Sequence, residues 1–121
     1  MDNERGNVVL NHSFSFAVRV VKLHKHLIGR HKAFALADQL LRSGTSIGAN
    51  VTEAQDAQSK KDFVAKLSIA LKEAKETRYW IRLLIATGYL DQEKNHVQSL
   101  ENDIAEIIKL LTSIIKSSKQ G

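Results

Sequence analysis

The chain has 121 residues, of which 43% are hydrophobic and 26% are charged, a composition typical of one globular domain rather than of a disordered segment. It has no cysteine, which excludes disulfides, a thiolate nucleophile and cysteine-ligated metal sites. Its apolar runs are far shorter than the roughly 20 residues of a membrane span, and its start lacks a signal-peptide pattern, so we expect a cytoplasmic protein.

The first predicted helix covers residues 12–28, after an aperiodic segment, residues 1–11, that we expect to be a flexible tail. Its apolar residues form two stripes, which predicts a broad buried face. The stripes contain Phe14, Phe16, Ala17, Val20, Val21, Leu23, Leu27 and Ile28. Gly29 is predicted to cap this helix, because glycine adopts a left-handed backbone at little cost.

Two further helices are predicted between Phe34 and Gly88, the second ending near Ala57 and the third running from Ser59 to Thr87. The buried row of the second helix is predicted to be Ala37, Leu40, Gly44, Ile47, Val51 and Ala54. The buried row of the third is predicted to be Phe63, Leu67, Ala70, Ala74, Thr77, Ile81 and Leu84. Ser59 and Asp62 form a capping-box pattern at the start of the third helix, and Gly88 is the expected stop.

The fourth predicted helix is capped by Asp91 and frays over residues 117–121. Its buried row is predicted to be Val97, Leu100, Ile104, Ile107, Leu111 and Ile114. Because each connection is only a few residues long, consecutive helices should be antiparallel neighbours. The sequence therefore predicts an all-α protein, a single up-down-up-down antiparallel four-helix bundle spanning residues 1–121.

Positive charge is concentrated in the first helix. Between Glu4 and Asp38 there is no acidic residue, and four of the five histidines lie in this stretch. The basic residues that we select there as candidate nucleic-acid contacts are Arg19, Lys22, Lys25, Arg30 and Lys32. Such a surface attracts polyanions by electrostatics and counterion release. Contact with an acidic patch of another subunit, or simple solvation, is the less favoured alternative.

The third helix has a basic outer row with Tyr79 among the cations. The row consists of Lys72, Lys75, Arg78 and Arg82. Cations with an interleaved aromatic suit a nucleic-acid backbone with base stacking, and they suit a solvated helix equally well. Trp80 is predicted to be a packing or interface residue.

A polar stripe runs beside the core row of the second helix and is expected to hydrogen-bond to a neighbouring helix. The predicted polar network consists of Arg42, Ser46, Asn50, Glu53, Glu73 and Glu76. In an antiparallel register that turns near residue 57, facing residues have numbers that sum to about 115. This register predicts an ion pair between Arg42 and Glu73, with Glu76 as a candidate second acceptor. Glu53 is expected near Asp62, in reach of Lys60 or Lys61.

Gly44 and Gly48 lie in the middle of the second helix, where each should cost roughly 1 kcal/mol relative to alanine. We interpret them as sites of close approach by another helix. A phosphate-binding loop is a poor alternative, since the lysine that follows the second glycine and a preceding strand are both missing.

No set of residues predicts a metal, a cofactor or a catalytic centre. Glu93 and His96 form one E-x-x-H motif, but a di-iron bundle needs a second copy and two further glutamates, and there is no second copy. His24 and His26 project about 200° apart on a helix, which does not suit joint ligation.

The stretch from Gln39 to Ala54, together with residues 59–63 and 74–90, resembles the four-helix-bundle proteins encoded within 23S rRNA intervening sequences. The matching positions are Arg42, Ser43, Ser46, Ile47, Asn50, Glu53, Phe63, Glu73, Glu76, Gly88, Tyr89 and Leu90. One departure is Ala54-Gln55, where a glycine commonly occurs. The resemblance implies a homopentamer around a central channel and a relation to the accessory variability determinant protein of diversity-generating retroelements, a basic barrel that works with a reverse transcriptase and nucleic acid.

From these observations we expect a non-enzymatic, basic, oligomeric bundle that binds RNA as a scaffold or accessory factor. The alternative is a purely structural homo-oligomer whose basic face binds an acidic protein partner.

Overall fold

A computed structural model of the chain describes residues 3–120, and side chains from Arg5 onward. It contains four long helices: α1 (Asn3–His26), α2 (Phe34–Gln55), α3 (Lys60–Ala86) and α4 (Asn95–Gln120). Each helix packs against the next, and α1 also packs against α4. Across the two diagonal pairs of helices, α1 with α3 and α2 with α4, no Cα atoms of the described residues lie within 8 Å of each other. The predicted all-α antiparallel four-helix bundle is confirmed.

The three predicted core rows of α2, α3 and α4 are buried at every position. Of the first-helix stripes, Phe16, Val20 and Leu27 are at most 1% exposed. In the stripe of Phe14, Ala17, Val21 and Ile28, the expected burial is wrong at Phe14, which is 70% exposed, and at Val21, which is 38% exposed. Their exposure places both side chains on the side of α1 that faces away from its neighbours α2 and α4.

Helix α1 begins at Asn3, nine residues earlier than predicted, so the expected flexible segment is helical over residues 3–11. Burial of Val9 and two hydrogen bonds from Arg5 stabilise this segment. Val9 is buried, and the Arg5 Nη1 and Nη2 atoms donate hydrogen bonds of 2.6 Å to the hydroxyls of Ser113 and Ser117 on α4. The same contacts keep the end of α4 helical as far as Gln120, where we expected fraying. Residues 1, 2 and 121 lie outside the described part of the chain.

The cap predicted at Gly29 is wrong. After α1 the chain makes a π-helical turn over Leu27–His31, and the left-handed residue that ends it is Lys32, with φ of 54°. The Lys32 N–H donates to the Leu27 carbonyl, five residues back, as a π turn requires. The π turn therefore places the left-handed residue at Lys32 rather than at Gly29.

The predicted boundaries of α3 are confirmed within one residue. Ser59 Oγ accepts a 3.0 Å hydrogen bond from the Asp62 N–H, and Gly88 has φ of +84°. The Asp62 carboxylate reaches the Gln58 N–H at 3.3 Å. By contrast, Asp91 does not cap α4: its Oδ1 accepts from the Glu93 N–H at 2.9 Å, which stabilises a turn before the helix begins at Asn95.

The two glycines of α2 face α1 at close range, as predicted. A Cβ atom on Gly44 would lie 2.9 Å from both Cγ atoms of Val20, and one on Gly48 would lie 3.3 Å from the Ser13 carbonyl oxygen. Both positions therefore allow α1 and α2 to approach more closely than larger side chains would permit.

Candidate functional site

The candidate nucleic-acid contacts of α1 lie at one end of the bundle, where α1 and α3 finish and α2 and α4 start. Two contacts bring these segments together: the rings of His31 and Tyr89 lie 5.9 Å apart, edge to face, and Arg19 Nη2 donates to the His96 carbonyl at 2.9 Å. Arg78 and Arg82 lie in the last turns of α3, near the same end. We call this region the basic end, defined by Arg19, Lys22, Lys25, Arg30 and Lys32.

Arg19 is committed to the bundle itself. Its Nη1 atom pairs with the Asp103 carboxylate and also donates to the Ser99 hydroxyl at 3.1 Å. Because Asp103 compensates its charge and three acceptors on α4 occupy its donors, Arg19 fastens α1 to α4 and is poorly placed to hold a phosphate.

The other four candidate cations, Lys22 and Lys25 in α1, Arg30 in the π turn and Lys32 directly after it, are exposed to solvent. Within the described part of the chain, none of their side chains forms a hydrogen bond or an ion pair. The nearby acid Asp38 contacts His24 instead of these cations, with its Oδ1 atom 2.8 Å from His24 Nε2. Because their side chains have no acidic partner among the described residues, the four cations give the basic end most of its uncompensated positive charge.

The basic row of α3 lies on a different flank of the molecule. Lys72, Lys75 and Arg82 are exposed, and Arg78 is half-buried in a groove between α3 and α4 that Gln92, Gln98 and Glu101 also line. Since α1 and α3 are diagonal helices, the first turns of α4 separate this row from the cations of α1. Tyr79 is 57% exposed, with its ring 5.0 Å from that of Trp80.

The predicted ion pair between α2 and α3 is present in the structure. Arg42 Nη1 lies 3.2 Å from Glu73 Oε2, and its Nη2 pairs with Glu76. Trp80 Nε1 donates to the same Glu76 oxygen at 3.1 Å, and Gln39 accepts from the guanidinium. These side chains form one polar cluster on the surface seam between the two helices.

The other expected cross-helix hydrogen bonds are absent among the described residues. Ser46 donates to the Arg42 carbonyl at 2.6 Å, and Asn50 donates to the Ser46 carbonyl at 2.8 Å, both within α2. Short polar side chains in a helix readily reach the carbonyl four residues back, which removes the need for a partner on another helix. Glu53 does cross to α3, but it pairs with Lys66 at 3.2 Å rather than with Lys60 or Lys61.

We expect Glu73→Gln to lower the free energy of unfolding by about 1 kcal/mol, at the upper limit for exposed ion pairs. The Glu73 side chain is only 15% exposed, and its charge compensates Arg42. Thermal unfolding followed by circular dichroism measures the effect. Glu101→Gln is the matched control, because Glu101 accepts only a neutral hydrogen bond, from Gln92. Equal small effects of both substitutions would contradict a structural role of the pair.

Two surface features of the structure were not predicted from the sequence. At the opposite end of the bundle, Lys60, Lys61, Val64 and Lys119 line a shallow groove. Lys119 is far from Lys60 and Lys61 in the chain. The up-down topology, however, places the end of α4 beside the start of α3, so it predicts that these lysines lie close together. The second missed feature is an apolar outer face of α1 at Phe14, Val18 and Val21, together with an exposed Phe34 at the start of α2; these side chains are 38 to 70% exposed.

No three histidine, aspartate or glutamate residues of the described chain are grouped as metal ligands would be. Glu93 lies in the turn before α4 and His96 in its first turn, while His26 and His31 contact each other edge to face. Across residues 3–120, no helix is both long and apolar enough to cross a membrane.

Comparison with known proteins identifies a family and a solved structure that resemble this chain. A sequence model described as 23S rRNA-intervening sequence protein matches residues 5–113. A crystal structure at 1.70 Å resolution, of a protein with unknown function from the S23 ribosomal protein family of Bacteroides thetaiotaomicron VPI-5482, is 55% identical to this chain. The match covers 93% of this chain and 98% of that one, with a TM-score of 0.88. No curated protein matches the sequence.

Proposed function

This chain belongs to the 23S rRNA-intervening sequence protein family, and from that premise we propose that it is a non-enzymatic, oligomeric RNA-binding protein of the cytoplasm. It acts as a scaffold or accessory factor and contacts RNA phosphates through the basic end. The observation that supports this most is the group of four exposed cations, Lys22, Lys25, Arg30 and Lys32, without partners in the described part of the chain.

Electrostatics makes RNA a suitable ligand for such a group. Each lysine or arginine that neutralises a phosphate releases condensed counterions, and this entropy gain requires no enclosed pocket or catalytic residue. Arg19 pairs with Asp103, an acid that would otherwise oppose an anion, and Asp38 Oδ1 lies 2.8 Å from His24 Nε2. The α3 row, with Tyr79, offers a second and separate contact surface on the far side of α4.

We also propose a relation between this family and the accessory variability determinant protein of diversity-generating retroelements, a basic barrel that works with a reverse transcriptase and nucleic acid, and this relation would favour the same function. RNA binding over a salt series, with the free cations neutralised, tests it.

We also propose that the protein assembles with itself, as the pentamer implied by its family resemblance. The apolar outer face supports this assembly. Phe14, Val18 and Val21 are spaced by four and three residues on α1, so they form one exposed stripe, and Phe34 at the start of α2 is 55% exposed. Several large apolar side chains on one exposed face are typical of an interaction surface.

Replacing Phe14 and Phe34 together by glutamate is expected to convert the assembly to monomers, because the new carboxylates would have to be desolvated at the contact. Light scattering during size-exclusion chromatography measures the mass, and circular dichroism should show unchanged helix content. Thr112→Glu, which adds a carboxylate on the exposed side of α4, serves as the control and should leave the mass unchanged. A wild-type protein that is monomeric would contradict self-assembly.

The second candidate function is a structural oligomer whose basic face binds an acidic protein. It is favoured by the exposed Phe34 close to Lys32, since a mixed apolar and cationic surface suits a protein partner. Failure to bind RNA at low salt, together with binding of an acidic protein that depends on Lys32, would favour this function over the first.

A further inference from the structure

An open groove beside the free cations has an apolar floor. It lies between the last turns of α1 and the first turns of α4, next to the connection that follows α3. The floor is formed by Leu23, Leu90, Val97 and Leu100. The rim carries polar side chains, namely Arg19, Lys22, His26 and His96.

This groove differs from the depression between α3 and α4 in combining apolar walls with a cationic edge. The depression between α3 and α4 is lined largely by Arg78, Arg82 and the polar side chains of Gln92, Gln98 and Glu101. In the groove between α1 and α4, Lys22 has no partner in the described chain, while the charge of Arg19 is already compensated by Asp103. Its occupant should therefore have an apolar body and a negative charge on the Lys22 side.

The surrounding charges indicate that this occupant belongs to a longer chain. Lys25, Arg30 and Lys32 continue the positive surface beyond the groove. A small amphiphile with one anionic group would leave these cations unused, whereas a nucleic-acid strand has one phosphate for each base. In a duplex the bases are stacked and paired, so only an unpaired strand can place a base on an apolar floor.

We propose that the groove binds one unstacked base of single-stranded RNA, with Lys22 contacting an adjacent phosphate. This inference rests on the proposed RNA-binding function and names the form of RNA that the basic end selects. The aliphatic floor covers one face of the base, and the rings of His26 and His96 are available at its edges. The walls hold no asparagine or glutamine that would read a base edge, so the site accepts bases without strong sequence preference.

The test compares three labelled RNAs of equal length by fluorescence anisotropy. They are a single strand, the same strand annealed to its complement, and a strand in which the central nucleotides are abasic. Because stacking of one base contributes about 1 to 3 kcal/mol, we expect the single strand to bind at least about fivefold more tightly than the abasic strand. Leu23→Ser should remove this difference, and Leu41→Ser, at another half-buried leucine outside the groove, should retain it.

A second readout does not depend on any variant. In the wild-type protein, the methyl NMR signals of Leu23 and Val97 should shift when the single strand is added and should shift less with the abasic strand. Equal affinity for intact and abasic strands, with unshifted methyl signals, would overturn the base site and leave the groove for another occupant such as an acidic peptide. Absence of binding to all three RNAs would instead refute the underlying RNA-binding function.

Discussion

Gly44→Leu is expected to lower the free energy of unfolding by at least about 2 kcal/mol, since overpacking a filled core typically costs 1 to 3 kcal/mol and sometimes more. A Cβ atom at this position would already lie 2.9 Å from two methyl groups of Val20, a residue with no exposed surface. Valine in a helix is restricted to essentially one rotamer, so Val20 cannot rotate away and α1 must move instead. The gain of roughly 1 kcal/mol from replacing a helical glycine offsets only part of this.

Chemical denaturation measures this effect, with Gly29→Leu as the matched control. No atom beyond its immediate chain surroundings lies within 4 Å of a Cβ built on Gly29, so the same substitution should change stability by less than about 1 kcal/mol. A second variant, Gly44→Ala combined with Val20→Ala, should recover stability relative to Gly44→Ala alone. Equal effects at the two glycines would contradict the close approach of α1 and α2.

Neutralising the three free lysines of the basic end, by Lys22→Gln, Lys25→Gln and Lys32→Asn, is expected to weaken single-stranded RNA binding about a hundredfold at 0.1 M salt. The salt dependence of binding has a slope of about −0.7 per phosphate neutralised on a single strand, so three lost contacts reduce its magnitude by about 2. If the wild type and the variant bind equally at 1 M salt, where the electrostatic contribution is small, a slope difference of about 2 gives about a hundredfold difference in affinity at 0.1 M salt. Asparagine is chosen at position 32 because it tolerates the left-handed backbone.

The control for this experiment changes the same net charge elsewhere. Lys109, Lys116 and Lys119 are all exposed on α4, and replacing them by glutamine also removes three positive charges. If binding depends on the basic end, this variant should retain an affinity within about threefold of the wild type. Equal losses in the two triple variants would show that only net charge matters.

Much of the fold could be predicted from periodicity alone. All nineteen residues assigned to the core rows of α2, α3 and α4 are buried, because a row spaced by alternating threes and fours can face only one direction in a helix. The antiparallel register also predicted the contact of Arg42 with Glu73, since a short turn fixes which residues face each other. The cap at Ser59 and the stop at Gly88 followed from local backbone chemistry.

The errors occurred where apolar character did not determine the environment. Phe14 and Val21 are apolar but exposed, because apolar character alone does not say which side of α1 faces α2 and α4. Arg5 is held by hydrogen bonds to Ser113 and Ser117 of α4, more than 100 residues away, and no local pattern reveals these contacts. The π turn at Leu27–His31 also lacks a sequence pattern, and it moved the cap from Gly29 to Lys32.

The candidate site was predicted in composition but not in arrangement. Sequence identified the cations of the first helix, yet it could not show that Arg19 pairs with Asp103 or that α4 separates these cations from the α3 row. The apolar floor beside Lys22 was also hidden, because Leu23, Leu90 and Val97 come from three segments of the chain.

The most direct test of the account is the salt dependence of single-stranded RNA binding by the wild-type protein and by the variant with Lys22, Lys25 and Lys32 neutralised. We expect the logarithm of the association constant to fall linearly with the logarithm of salt concentration for the wild type, with a slope reduced in magnitude by about 2 in the variant. A wild-type protein that shows no RNA binding at low salt, or two proteins with the same slope, would contradict phosphate recognition by the basic end.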